Sequence, residues 1–125
     1  MQPVTVLVIE EGPEAALVCA ALAKIPELRV LDAPDVGRAL KRLKTHQAQV
    51  AVAIVGSPSL AKPADLMKQL EPRGIPVVGV VHALPPAARQ RALAAGVREI
   101  HERPRRWQPY SELIGALVSR FIRPK

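Results

Sequence analysis

Aromatic residues are nearly missing from this chain of 125: one Trp, one Tyr and one Phe, all after Arg106. Stacking on nucleic-acid bases needs rings set out on a sheet face, so a stacking platform is excluded. Cysteine occurs once, at Cys19, which rules out a disulfide framework and a cysteine-based metal site. Within Ala16-Leu17-Val18-Cys19-Ala20 it reads as a small buried hydrophobe. No apolar run approaches the roughly 20 residues of a membrane-spanning helix. Met1-Gln2-Pro3-Val4-Thr5 has no basic stretch ahead of an apolar one, so no signal peptide is read. A reducing cytoplasm is the expected compartment. Glycine-rich phosphate loops are absent too: Glu10-Glu11-Gly12-Pro13 offers one Gly and two negative charges that repel phosphate. That counts against nucleotide binding and dehydrogenase chemistry. His46, His82 and His101 show no metal-ligand spacing, and no Ser-His-acid arrangement stands out.

What is present is aliphatic. Hydrophobic residues make up 49% of the chain, which suits one domain, 1–125, with one packed interior. Val, Leu, Ile and Ala in this proportion fit parallel strands buried on both faces. The net charge is +7, from 18 basic and 11 acidic residues. It attracts polyanions in general and names no partner.

The run Val50-Ala51-Val52-Ala53-Ile54-Val55 carries no polar side chain and ends at Gly56. It has the length of a strand and no alternation, so it belongs in the middle of a sheet. Val4–Ile9 and Ile75–Val81 are similar runs. Leu28–Leu31 contains Arg29, and Val97–His101 alternates apolar with polar, so both fit sheet edges. Helical patterns separate the strands: about 13–24, 36–44, 64–70, 84–95, and a last helix with Leu113, Ile114, Leu117, Val118 and Phe121 on one face. Residues 57–63 read as a polar loop and 104–109 as another. Gly96 sits where a helix cap belongs. Five strands alternating with five helices imply right-handed crossovers and a parallel sheet covered on both faces. With charged strands at the edges, the order is 2-1-3-4-5.

On these landmarks the chain resembles the receiver domains of bacterial response regulators, over nearly its whole length. The resemblance implies a flavodoxin-like (CheY-like) three-layer α/β/α fold, acting as a whole small protein or as one domain of a longer regulator. In that family the first strand ends in acids that help hold magnesium, and here Glu10-Glu11 stands there. The third strand presents a phospho-accepting Asp four residues before a Pro, and counting back from Pro58 reaches Ile54. The fourth strand ends in a hydroxyl residue followed by Ala, and here it is His82-Ala83. The Lys-Pro after the fifth strand is Arg103-Pro104, and the family's Gly-Ala is Gly96-Val97.

Each departure has a consequence. Ile54 has no nucleophile, so no aspartyl phosphate forms there, nor at Val55 if the register is one residue different. Ser57 and Ser59 lie beyond the strand and are unactivated. Glu10 and Glu11 extend about 1.5 Å further than Asp and lack a third carboxylate, a poor fit to octahedral magnesium. No cofactor, metal or catalytic residue is therefore expected, and the chain is not expected to be an enzyme. Arg103 is expected to pair with Glu10 or Glu11 and lock the pocket.

The resemblance implies signalling through protein contact, with an attached output domain, a partner, or a second copy. The family's contact surface (fourth helix, fifth strand, last helix) would here use Arg89, Arg91, Arg98, Arg105, Arg106, Trp107 and Tyr110, with Trp107 the foremost anchor. Two other readings compete. Arg105 and Arg106 with Lys41, Arg42 and Lys44 would contact nucleic-acid phosphates, without a recognition motif. A crevice at the strand ends, holding Glu10, Glu11, His82 and Arg103, would take a small ligand.

Overall fold

The computed structural model describes residues 4–46 and 49–122, with His46 described in its backbone only. Met1-Gln2-Pro3 and the His46 side chain, read above from sequence, lie outside the described residues. Five parallel strands form one sheet: β1 (Val4–Ile9), β2 (Leu28–Ala33), β3 (Val50–Val55), β4 (Val77–Val81) and β5 (Glu99–Glu102). Their order is β2-β1-β3-β4-β5. The charged strands lie at the edges, where Arg29, Asp32 and Glu102 reach solvent.

Alternation along each strand divides the interior in two. Leu7, Ile9, Ala53, Val55, Val77 and Val81 face one layer, made of α2 (Val36–His46), α4 (Pro63–Leu70) and α5 (Pro86–Ala95). Val6, Val8, Val52, Ile54, Val78 and Val80 face the other, made of α1 (Gly12–Leu22) and α6 (Trp107–Ile122). Both faces of β1, β3 and β4 are dry, which is why their sequences show no alternation of polarity.

The structure corrects several boundaries. Residues 57–60 are not loop but a one-turn helix, α3 (Ser57–Leu60). Pro58 suits its first turn, and Leu60, 1% exposed, anchors it against β4. The contact is possible because β4 has Gly79, where a Cβ would sit 2.5 Å from Leu60 Cδ1. β4 begins at Val77 because Pro76 has no N–H; its carbonyl accepts from Ala53 N at 2.8 Å. Val97 belongs to the cap of α5: its N–H reaches Ala92 O at 3.1 Å around Gly96, so β5 starts at Glu99. α6 begins at Trp107 and holds Pro109 in its first turn, where a missing N–H costs nothing.

Candidate functional site at the carboxyl ends of the strands

β1 runs directly into Glu10, whose backbone is clamped from the side. Glu10 N donates to Ala33 O of β2 at 3.1 Å, and Gly56 N donates to Ile9 O at 3.1 Å. The Glu10 side chain, half-buried, turns across to the mouth of β3. A Cβ built on Gly56 would lie 1.6 Å from Glu10 Oε2 and 2.2 Å from its carboxyl carbon. The carboxylate therefore fills the volume that a side chain at position 56 would occupy. Burial raises the Glu10 pKa above its ordinary 4.5. The Glu11 N–H, donating to Oε1 at 3.1 Å, opposes this, while the charges of Glu14 and Glu11 add to it.

Ile54 lies two residues deeper than that mouth. It is 2% exposed and packed in the layer beneath α1 and α6. Position 54 is thus interior hydrocarbon, and Gly56 is the residue beside Glu10. The sequence marks Gly56 only as the end of a strand; its signal is a glycine two residues before a landmark proline, a place where backbones or side chains approach closely. Glu11 and His82 are exposed.

Arg103 leaves β5 with its N–H on Val81 O at 2.6 Å. Its guanidinium pairs with Glu14, in the first turn of α1, and not with Glu10 or Glu11 as expected. Glu10 has turned toward β3 and Glu11 toward solvent, which leaves Glu14, one helical turn onward, facing α6. The guanidinium also lies over Tyr110, its carbon 5.3 Å from the ring centroid. Its Nε is buried without a hydrogen-bond partner. Tyr110, expected on a contact surface, is instead 2% exposed. Because α6 starts at Trp107, Tyr110 falls on the same helical face as Ile114, Leu117 and Val118 and packs with them. Its phenol is pushed up to about 12, by burial first and by Glu14 next, with Arg103 opposing.

Of the remaining contact candidates, Arg91, Arg98, Arg105, Arg106 and Trp107 are exposed and Arg89 is partly buried. Trp107 meets Tyr110 edge-on, with centroids 6.2 Å apart and planes at 81°, and the Lys24 ammonium lies 5.2 Å from its ring centre. It remains 40% exposed. Nearby, Arg89 Nη1 donates to Ile100 O at 3.0 Å, and Glu99 gathers Arg120 and His101 around it. The two basic clusters do not meet. Lys41, Arg42 and Lys44 are on α2, which packs on edge strand β2, whereas Arg105 and Arg106 follow edge strand β5.

The donor set does not fit a magnesium ion, which such a fold implies. Glu10 is committed to the Gly56 cleft and the Glu11 N–H, and β3 contributes no side-chain oxygen. Among the described residues, no group of three or more His, Cys, Asp or Glu is placed to hold a metal. No helix among them is long and apolar enough to cross a membrane. A cavity of about 740 Å³ opens beside Glu11 between the start of α2 and α3–α4, and is lined by Asp35, Ser59, Lys62 and Asp65 among others. Glu10, His82 and Arg103 are not in its lining.

Neither protein-family models nor curated proteins give a match to this sequence. Solved structures do. The Mn2+-bound form of the response regulator Rcp1 superposes with a TM-score of 0.77 at 12% identity, over 98% of both chains. The phosphorylated cyanobacterial phytochrome response regulator RcpA gives 0.79 at 11% identity, over 96% of this chain and 94% of that one. A response regulator from Hahella chejuensis gives 0.72 at 19% identity, over 95% of each. At such identities the likeness is one of architecture: this chain has the CheY-like, flavodoxin-type fold of response regulator receiver structures, with five parallel strands in the order 2-1-3-4-5.

Proposed function

We propose that this chain is a pseudo-receiver: a receiver-fold regulatory domain that acts in bacterial signalling by protein contact and takes no phosphoryl group. The observation that carries the reading is the mouth of β3. There a glycine replaces any side chain, and the Glu10 carboxylate is seated over it. Two of the similar structures are described as phosphorylated and Mn2+-bound. Among the described residues there is neither an acid on β3 nor a three-carboxylate cluster for such chemistry. Its contacts would run through the exposed Arg98, Arg105, Arg106 and Trp107 on the α5–β5–α6 side, toward an output domain, a partner or a second copy. No catalytic step is assigned to any residue.

Incubation with acetyl phosphate and Mg2+, followed by intact-mass measurement, tests this. The expected result is no phosphoryl adduct, together with an amide NMR spectrum unchanged by beryllofluoride and Mg2+. A stable acyl phosphate would overturn it. The cavity beside Glu11 favours a second reading, a small-ligand sensor. Its volume falls in the range of ligand pockets, and a thermal-shift screen of small zwitterions would detect occupancy. The nucleic-acid reading is weakened by the separation of the two basic clusters onto opposite sheet edges.

A further inference from the structure

α5 has two sides. One bears Arg89 and faces β5; the other, bearing Arg91, Ala94 and Ala95, faces α4 across a gap. The gap exists because α5 is poor in bulk. Only Ala92 is fully buried in it, and short alanine side chains do not fill the space between two helix axes. Three concavities of about 540, 400 and 270 Å³ follow one another along this gap. The first and second share Ala64 and Ala95; the first and third share Met67 and Glu71. They form one trough from the start of α4 to the loop after α5. Its floor is apolar: Ala64, Met67, Ala94, Ala95 and Pro72. Met67 reaches across to Gly96, where a Cβ would come within 3.2 Å of its terminal methyl. A thioether there adapts to whatever lies on it.

The rim is charged and unbalanced. Lys62, Lys68, Arg91 and Arg98 border the trough, against Asp65 and Glu71. None of the four cations is in an ion pair among the described residues. A second copy of this chain, itself at +7, would bring like charge to a basic rim. We infer that the α4–α5 trough docks an acidic amphipathic helix of a partner protein, apolar face down on Met67 and the alanines, carboxylates on Lys62, Lys68, Arg91 and Arg98. α4 and α5, eight and ten residues long, span about 12–15 Å and match about three turns of such a helix. The inference rests on the reading that the domain works by protein contact, and it names a surface on the α4 side of α5 that takes only Arg91 and Arg98 from the contact residues expected from the sequence.

The test uses the whole chain, 15N-labelled, titrated with a synthetic helix of about four turns carrying Leu and Ala on one face and Glu on the other. The control peptide has Lys in place of Glu. The expected result is saturable shifts in the amides of 62–74 and 91–98 with the Glu peptide and none with the Lys peptide. Ala94→Glu, at an exposed helix position, weakens binding about tenfold or more, and Lys62→Glu weakens it in the same direction, both with an unchanged thermal melt. Absence of saturable binding, or equal binding of the two peptides, overturns the trough. Shifts centred on Arg105–Tyr110 also overturn it while leaving the protein-contact reading intact. Acyl phosphate formation would strike that reading and not the peptide result.

Discussion

Arg103 and Glu14 are 89 residues apart in sequence and directly paired in space, joining the segment after β5 to the first turn of α1. The pair sits at the head of the α1–α6 layer, over the buried ring of Tyr110. Arg103→Ala leaves Glu14 without its partner and uncovers the ring. We expect a loss of about 1–2 kcal/mol in urea unfolding, the range for hydrogen bonds to charged groups that are neither fully exposed nor fully buried. Glu14→Gln keeps a hydrogen-bond acceptor and should lose less. Equal stability of all three proteins would show that the pair contributes nothing.

The single tyrosine makes a second measurement clean. Phenolate absorbance in this chain reports Tyr110 alone. It should rise near pH 12 in the folded protein, against an ordinary value of 10. Because the folded phenol holds its proton more tightly than the unfolded one, stability falls as pH climbs through that interval. Glu14→Gln removes a negative charge from the ring's surroundings and should bring the transition down.

Two glycines predict opposite outcomes for the same substitution. Gly56→Ala first meets the far end of the Glu10 side chain, at a backbone conformation (φ −91°) open to any residue. The carboxylate should swing out to water, with a stability change within about 0.5 kcal/mol, and the Glu10 pKa should return toward 4.5. Gly79→Ala instead drives a Cβ to 2.5 Å from Leu60 Cδ1 in a closed interior. Overpacking of that kind costs about 1–3 kcal/mol. Chemical denaturation of both variants, with carboxyl NMR titration of the first, checks the pair.

Glu10 and Glu99 should bend the pH–stability profile in opposite senses. Glu10, raised by burial, binds its proton more tightly when folded, so stability drops as pH rises from 4.5 through the raised value. Glu99, lowered chiefly by the Arg120 hydrogen bond, contributes stability present above 4.5 and lost as pH falls through its depressed value. Glu10→Gln should therefore gain stability at neutral pH, and Glu99→Gln should lose it. Unfolding measured between pH 3 and pH 8, about the range in which shifted carboxyl groups titrate, would reveal either sign reversed.

The sheet was legible because its order is written in where charge is tolerated. Arg29 and the Glu99–His101 alternation mark edges, and the clean runs around Val6, Val52 and Val80 mark the centre. α3 was hidden because a Ser-Pro-Ser-Leu turn owes its form to the hole that Gly79 leaves in another strand. Tyr110 was misplaced because residues 104–109 read as a loop, whereas α6 begins at Trp107 with Pro109 in its first turn, which adds Tyr110 to the buried face of Ile114, Leu117 and Val118. The partner of Arg103 was one helical turn beyond the acids that strand reasoning could see. The trough could not be read at all, since it is made by what two helices fail to fill.

The seat of Glu10 over Gly56 also couples what each of the two positions can become. Ile54→Asp would bury a carboxylate among the hydrocarbon beneath α1 and α6, a costly change for an unpaired charge. Gly56→Asp would meet a glutamate already in place. A side chain longer than alanine has room at this mouth only once the Glu10 carboxylate has swung out to water or been shortened, so what position 56 can carry depends on what stands at position 10.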